Sequence, residues 1–154
     1  NTLTINGERH LVESNAPITR TFESKKQKGA EVDLSTVFAN SVKKAVRTVI
    51  LDQKDHLEVI DRLETRDKEA TVSWIMVTPA EAKITGKNRI ELTKDGQRML
   101  LIADTGTEVE MKIWSNVPPH EYDFRNPGTI RVGFETVIPA NRASQLKVRL
   151  IPLK

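Results

Sequence analysis

The chain predicts an all-β fold on three observations. Apolar and polar residues alternate in short runs, β-branched residues dominate those runs, and turn signals recur about every eight to twelve residues. The expected architecture is an antiparallel β-sandwich of about eleven strands in two packed sheets, with little or no helix.

The elements follow in order. Leu3 and Ile5 alternate with Thr2 and Thr4 from Asn1 onward, and Asn6-Gly7 is a strong hairpin signal with Leu11-Val12 as the short return strand. A chain already at strand pitch at Asn1 is expected to be a piece of a larger protein. After Pro17, residues 18–22 alternate, with Ile18, Arg20 and Phe22 on one face and Thr19 and Thr21 on the other. Residues 30–34 alternate again. Residues 35–42 carry Val37, Phe38 and Val42 at helical spacing, but the stretch is short and reads as a connection.

Residues 45–51 and 56–63 are β-branched runs joined by the polar turn 52–55, an antiparallel hairpin. Arg47 shares a face with Val49 and Leu51, and Asp61 shares one with Leu57 and Val59. A charge on an apolar strand face requires a partner, and an Arg47–Asp61 pair meets that need in the right register. Its expected use is structural.

The strand at 70–77 is apolar on both faces, which predicts a central position. Strands at 82–85, 89–93 and 97–102 are separated by turns at 86–88 and 94–96. In the strand at 108–114, Val109, Met111 and Ile113 point inward and Glu108, Glu110 and Lys112 outward, with Trp114 breaking the pattern. Pro118, Pro119, Pro127 and Gly128 make 115–128 a loop. Strands at 129–138 and 144–151 complete the set.

At 154 residues the chain has the size of one domain, here spanning 1–154. With 38% hydrophobic and 29% charged residues it reads as globular and folded. No apolar run reaches the ~18 residues of a membrane span. Cysteine is absent, which excludes disulfide and thiolate chemistry within the chain. A net charge of +3, scattered along the chain, excludes nucleic acid as an expected partner. Lys25, Lys26 and Lys28 form a dense basic patch, whose simplest reading is a solvated turn.

Reactive constellations are missing. His10, His56 and His120 lie far apart, and His120 near Glu121 and Asp123 is a weak metal signal beside an ordinary polar loop. No glycine-rich phosphate cradle or nucleophile elbow occurs, and no carboxylate pair stands out from the wet strand faces. The expected catalytic, cofactor and metal assignments in this chain are therefore none. The aromatic set Trp114, Tyr122 and Phe124 around the proline loop is the best binding feature. Plugging the end of the core, or packing on another part of the parent, is the stronger reading, and stacking on a sugar ring the alternative.

Asn1-Thr-Leu-Thr-Ile-Asn-Gly7, Val46-Arg-Thr-Val49, His56-Leu-Glu-Val-Ile-Asp-Arg62, Tyr122-Asp123 and Asn126-Pro-Gly128 together resemble the C-terminal part of heparinase II/III-like proteins. These are polysaccharide lyases with an N-terminal α/α toroid followed by β-sandwich sheets. The resemblance implies a parent that cleaves uronic-acid-containing glycans by β-elimination, in the periplasm or envelope of a bacterium. A base takes the C5 proton of the uronate, a neutralising group stabilises its carboxylate, and the glycosidic oxygen leaves. In the family those groups come from the toroid and the earlier β region. The family's His-Asn-Thr-Leu motif, whose His is associated with a metal in some members, places that His just before Asn1. The resemblance thus implies a scaffold for the toroid and a wall of the substrate cleft, inactive alone, with zinc, if any, held in the parent. The rival expectations are a non-catalytic carbohydrate-binding module using Trp114, Tyr122 and Lys25–Lys28, and a purely structural interaction domain.

Overall fold

A computed structural model describes residues 2–54, 56–118, 120 and 122–153, and holds twelve strands with no helix among them. They are β1 (Thr2–Ile5), β2 (Ile18–Glu23), β3 (Gln27–Asp33), β4 (Val42–Asp52), β5 (Leu57–Thr65) and β6 (Ala70–Thr78). β7 (Glu81–Gly86), β8 (Arg89–Lys94), β9 (Gln97–Thr105), β10 (Glu110–Ser115), β11 (Ile130–Ile138) and β12 (Ala143–Leu153) follow. A four-stranded sheet in the order β1-β6-β11-β10 packs on an eight-stranded sheet in the order β2-β3-β4-β5-β12-β9-β8-β7, and every pairing is antiparallel. Asn1 and Asp55, parts of the expected first strand and hairpin turn, lie outside the described residues.

Period-2 patterning sets the core. Leu3, Val72, Trp74, Val132 and Phe134 face inward from the small sheet, against Ala45, Leu63, Ile90, Leu101, Leu146 and Val148 from the large one. Trp74 and Phe134, cross-strand partners on β6 and β11, stack with ring centroids 6.1 Å apart. As expected, β6 is central and 35–41 is a connection. Its successive turns seat Phe38 in the core, 5% exposed.

Three expectations need correction. Asn6 and Gly7 do form a turn with positive φ (55° and 69°), but Leu11-Val12 is not a strand and β1 pairs with β6 instead. The turn signal is local, whereas the partner is chosen by burial of Leu3 and Ile5. In β2, a bulge between Ile18 and Arg20 reverses the faces. Ile18 sits opposite Val32, while Arg20 and Phe22 sit opposite Glu31 and Gly29. On β10, Met111 is buried but Ile113 is 40% exposed, because β10 is an edge strand. The twelve strands among the described residues agree with the expected number of about eleven.

Two details show how local chemistry serves the sheets. The Phe22 ring lies over Gly29, where a Cβ would come within 2.6 Å of it, and the Arg20 guanidinium caps the ring at 5.4 Å. Pro152 on β12 pairs with Met99 of β9 beyond the last β5 partner, Leu57, so its missing N–H breaks no bond to β5.

The Arg47–Asp61 pair forms as the patterning demanded. The two residues are direct cross-strand partners on β4 and β5. Arg47 Nε and Nη2 donate to Asp61 Oδ1 and Oδ2 at 2.7 and 2.9 Å, and Asp61 is 1% exposed.

Thr65 at the end of β5 is a second buried anchor. Its Oγ1 donates to the Pro139 carbonyl at 2.6 Å and accepts from the Arg142 N–H at 2.9 Å. Thr65→Val keeps the shape and strips both partners. It is expected to lower stability by about 1–3 kcal/mol in urea denaturation, and a change under ~0.5 kcal/mol would contradict this role.

Candidate functional site

Short connectors decide which loops share an end of the sandwich. Pro79-Ala80 carries the chain from β6 to β7, between the two sheets. That end therefore also holds the β2–β3 turn, the β4–β5 turn, the β8–β9 turn and the loop 116–129. The opposite end is closed by 66–69 and 139–142, where the Asn141 N–H donates to the Arg66 carbonyl at 2.7 Å. All six residues marked in the sequence emerge at or beside the first end.

The loop 116–129 is pinned at its base. Asn116 Nδ2 donates to Thr129 Oγ1, which donates to the Asn126 carbonyl, both at 2.7 Å. Arg131 Nε donates to the Ser115 carbonyl at 3.0 Å. An open pocket of about 390 Å³ is lined by Asn116, Val117, His120, Arg125 and Thr129. Tyr122 is 81% and Phe124 86% exposed, and the His120 and Tyr122 rings stack at 5.0 Å. The expectation that these aromatics plug the core is overturned for both. The loop projects past the last β10–β11 pair, Ser115–Ile130, and carries them away from the sheets. Trp114 is half-buried and faces outward with Lys112, opposite in parity to the buried Met111.

The lysines sit on the other flank. Ser24 Oγ accepts from the Lys26 and Gln27 N–H groups, each at 3.2 Å, and so shapes the turn that presents Lys25 and Lys26. Lys28 follows on β3. The Gln53 N–H donates to the Lys26 carbonyl at 3.2 Å, which ties this turn to the β4–β5 turn and sets Lys54 beside it. Sequence reading missed Lys54, because it lies 26 residues from Lys28 and only the strand pairing unites them. Asp52 Oδ1 accepts from the Lys54 and His56 N–H groups at 2.7 and 3.0 Å. The His56 N–H, foremost, holds the Asp52 carboxyl below the usual carboxylate range.

Strand order separates the two features. The lysine turns belong to β2–β5 and the aromatic loop to the β10 edge, which meets the large sheet at β7. At ~4.8 Å per strand the gap is on the order of 25 Å. They share one end of the molecule but not one contact surface.

Among the described residues no three His, Asp or Glu side chains converge as a metal site. Glu121, the middle of the weak His120–Glu121–Asp123 signal, lies outside the described residues. His10 is engaged structurally, its Nε2 3.0 Å from the Leu3 carbonyl oxygen and its ring edge-on to Phe38. The described residues of this chain thus supply no complete ligand set for the zinc that the resemblance implies.

No family model matches the sequence, and no curated protein sequence matches it. The fold nevertheless has counterparts among solved structures, heparinase III and a heparan sulfate lyase among them. A heparinase III matches with TM-score 0.74 and 14% identity, over 99% of this chain and 23% of that one. A second heparinase III matches with TM-score 0.72 and 14% identity, over 100% of this chain and 24% of that one. The heparan sulfate lyase HepC of Pedobacter heparinus matches with TM-score 0.66 and 17% identity, over 99% and 24%. The resemblance stated from the sequence is therefore borne out in the fold, and the chain spans about a quarter of the length of these lyases. No helix among the described residues is long and apolar enough to cross a membrane.

Proposed function

We propose that this chain is the β-sandwich domain of a heparinase II/III-like polysaccharide lyase acting on uronate-containing glycans by β-elimination. The observation that supports it is a fold shared over 99% of this chain with a quarter-length portion of heparinase III. The domain supports an N-terminal α/α toroid, and the loop 116–129 forms part of the wall of the substrate cleft. Exposed Tyr122 and Phe124 offer ring faces to a sugar, whose C–H groups pack well on aromatic surfaces. The general base and the carboxylate-neutralising groups belong to the rest of the parent, located in the bacterial periplasm or envelope.

The same exposure favours a second reading, a non-catalytic carbohydrate-binding module that uses this loop on its own. One experiment separates the two. The 154-residue chain incubated with heparan sulfate is expected to give no ultraviolet absorbance of an unsaturated uronate, whereas the chain joined to its upstream toroid gives it. Product from the 154-residue chain alone would overturn the scaffold reading. Retention of the chain on neutral glycans, abolished by Tyr122→Ala with Phe124→Ala, would favour the module.

A further inference from the structure

We infer that the outward face of the four-stranded sheet is the docking surface for the parent's upstream toroid, while the outward face of the eight-stranded sheet stays in water. That a toroid exists rests on the lyase-domain reading, whereas the face it covers is read from this structure. One parity of β1, β6, β11 and β10 fills the core, and the other makes this face. At its centre Gly133 leaves a shallow floor between Lys112 and Ile75, its cross-strand partners. Trp114, Val77 and Val137 stand around that floor, the valines 38% and 49% exposed. The charged side chains among the described residues of the face are already occupied within it. Lys112 sits between Glu135 and Glu110, the latter at 3.1 Å, and Glu135 also accepts from Ser73 Oγ at 3.0 Å. Arg131 Nε donates to the Ser115 carbonyl at 3.0 Å. A partner can settle here without stranding a charge, as the dry centre of an interface requires.

Position and area choose the occupant. The loop 116–129 springs from β10 and β11, two strands of this face, so a domain seated here meets the loop proposed to line the cleft. β1 borders the same face, so any upstream chain enters the fold beside it. The outward face of the large sheet lacks both features. It is charged throughout, with ion pairs Glu58–Lys147 at 2.6 Å and Glu91–Arg98 at 2.8 Å between neighbouring strands and Lys83 and Arg89 exposed nearby. Four strands ~4.8 Å apart and about seven residues long cover about 450 Å² of the small-sheet face. Burying it against a partner removes about 900 Å² in all, which fits a contact between domains of one chain, about 600–1,500 Å². A stable dimer of separate chains needs about 1,200–2,000 Å², so a second copy fits the face less well. The heparinase III counterpart carries this fold as 23% of its length, which leaves ample chain to supply such a domain.

The test uses the absence of cysteine from the chain, which lets single cysteines report on each face. Val77→Cys and Val137→Cys probe the small-sheet face, and Lys83→Cys and Arg89→Cys the large-sheet face. Each variant is treated with a maleimide, both as the 154-residue chain and joined to its upstream toroid, and mass spectrometry reads the modified peptide. Circular dichroism confirms that each variant is folded. All four are expected to react readily in the 154-residue chain. Joining the toroid is expected to slow Val77→Cys and Val137→Cys by about tenfold or more and to leave Lys83→Cys and Arg89→Cys within about twofold. Equal labelling of the small-sheet variants in the two chains overturns the inference, as does protection of the large-sheet pair instead. Protection of the small-sheet variants in the 154-residue chain itself, with a dimer mass in sedimentation, also overturns it and assigns the face to a second copy. Each of these leaves the lyase-domain reading standing, because that is decided by uronate elimination in the toroid-linked chain.

Discussion

Asp61→Ala is expected to destabilise the domain by about 3–5 kcal/mol, the largest loss available from a single polar residue here. Asp61 is 1% exposed on the inward face of β5, between Val59 and Leu63. Its removal leaves the Arg47 guanidinium, whose side chain is only 14% exposed, without the carboxylate that receives two of its donors. The cost is mainly that of a half-buried charge deprived of its carboxylate. Replacing both partners, Arg47→Met with Asp61→Leu, removes the charge altogether and is expected to recover most of the loss. Urea denaturation decides the matter. A single-variant loss under ~1 kcal/mol, or a double variant no more stable than the single, would mean that the pair is not buried as described.

Gly133→Ala ranks beside it. Gly133 sits on β11 between Ile75 of β6 and Lys112 of β10, with φ at 157°. A Cβ there would lie 1.8 Å from the Trp74 carbonyl oxygen and 2.9 Å from its carbon. Both are backbone atoms of the partner strand, so no rotamer change relieves the clash. β6 and β11 must part just where the flanking Val132 and Phe134, each 0% exposed, hold the core. A loss on the order of 3 kcal/mol or more is expected, up to failure to fold. Gly86→Ala is the control, since its added methyl meets nothing nearer than 3.8 Å and is expected to change stability by under ~0.5 kcal/mol. Equal stability of the two variants would refute the close approach.

The two residues differ in how visible they were beforehand. A charge inside an alternating apolar run announces that it needs a partner, so Arg47 and Asp61 could be paired from their positions alone. Gly133 carries no such mark, because its constraint comes from a strand about sixty residues away. The same division runs through the fold. Apolar residues on both faces of 70–77 predicted a central strand, and β6 indeed lies between β1 and β11 with Val72 and Trp74 buried. The partner of β1 and the reversal at the Ile18–Arg20 bulge depend on pairing energies summed across the sheet, which no local pattern encodes. At the site, the aromatic loop was legible from its prolines, but not whether its rings turn inward or outward. Lys54 was invisible because a patch built from two turns exists only once β3 and β4 are zipped.

The position of β12 has a consequence for time as well as for space. It is the last strand in chain order, yet it lies between β5 and β9 in the middle of the large sheet. Until it is delivered, β2–β5 and β7–β9 are separate half-sheets with no hydrogen bonds between them. During synthesis both halves must wait, each exposing an edge that later becomes interior, until the strand that joins them has left the ribosome. Closure then runs through contacts about 80–90 residues apart to β5 and about 40–55 apart to β9, the kind that form slowly because the loop entropy is spent before the pairing is gained. This domain is therefore built to fold after its translation rather than along with it.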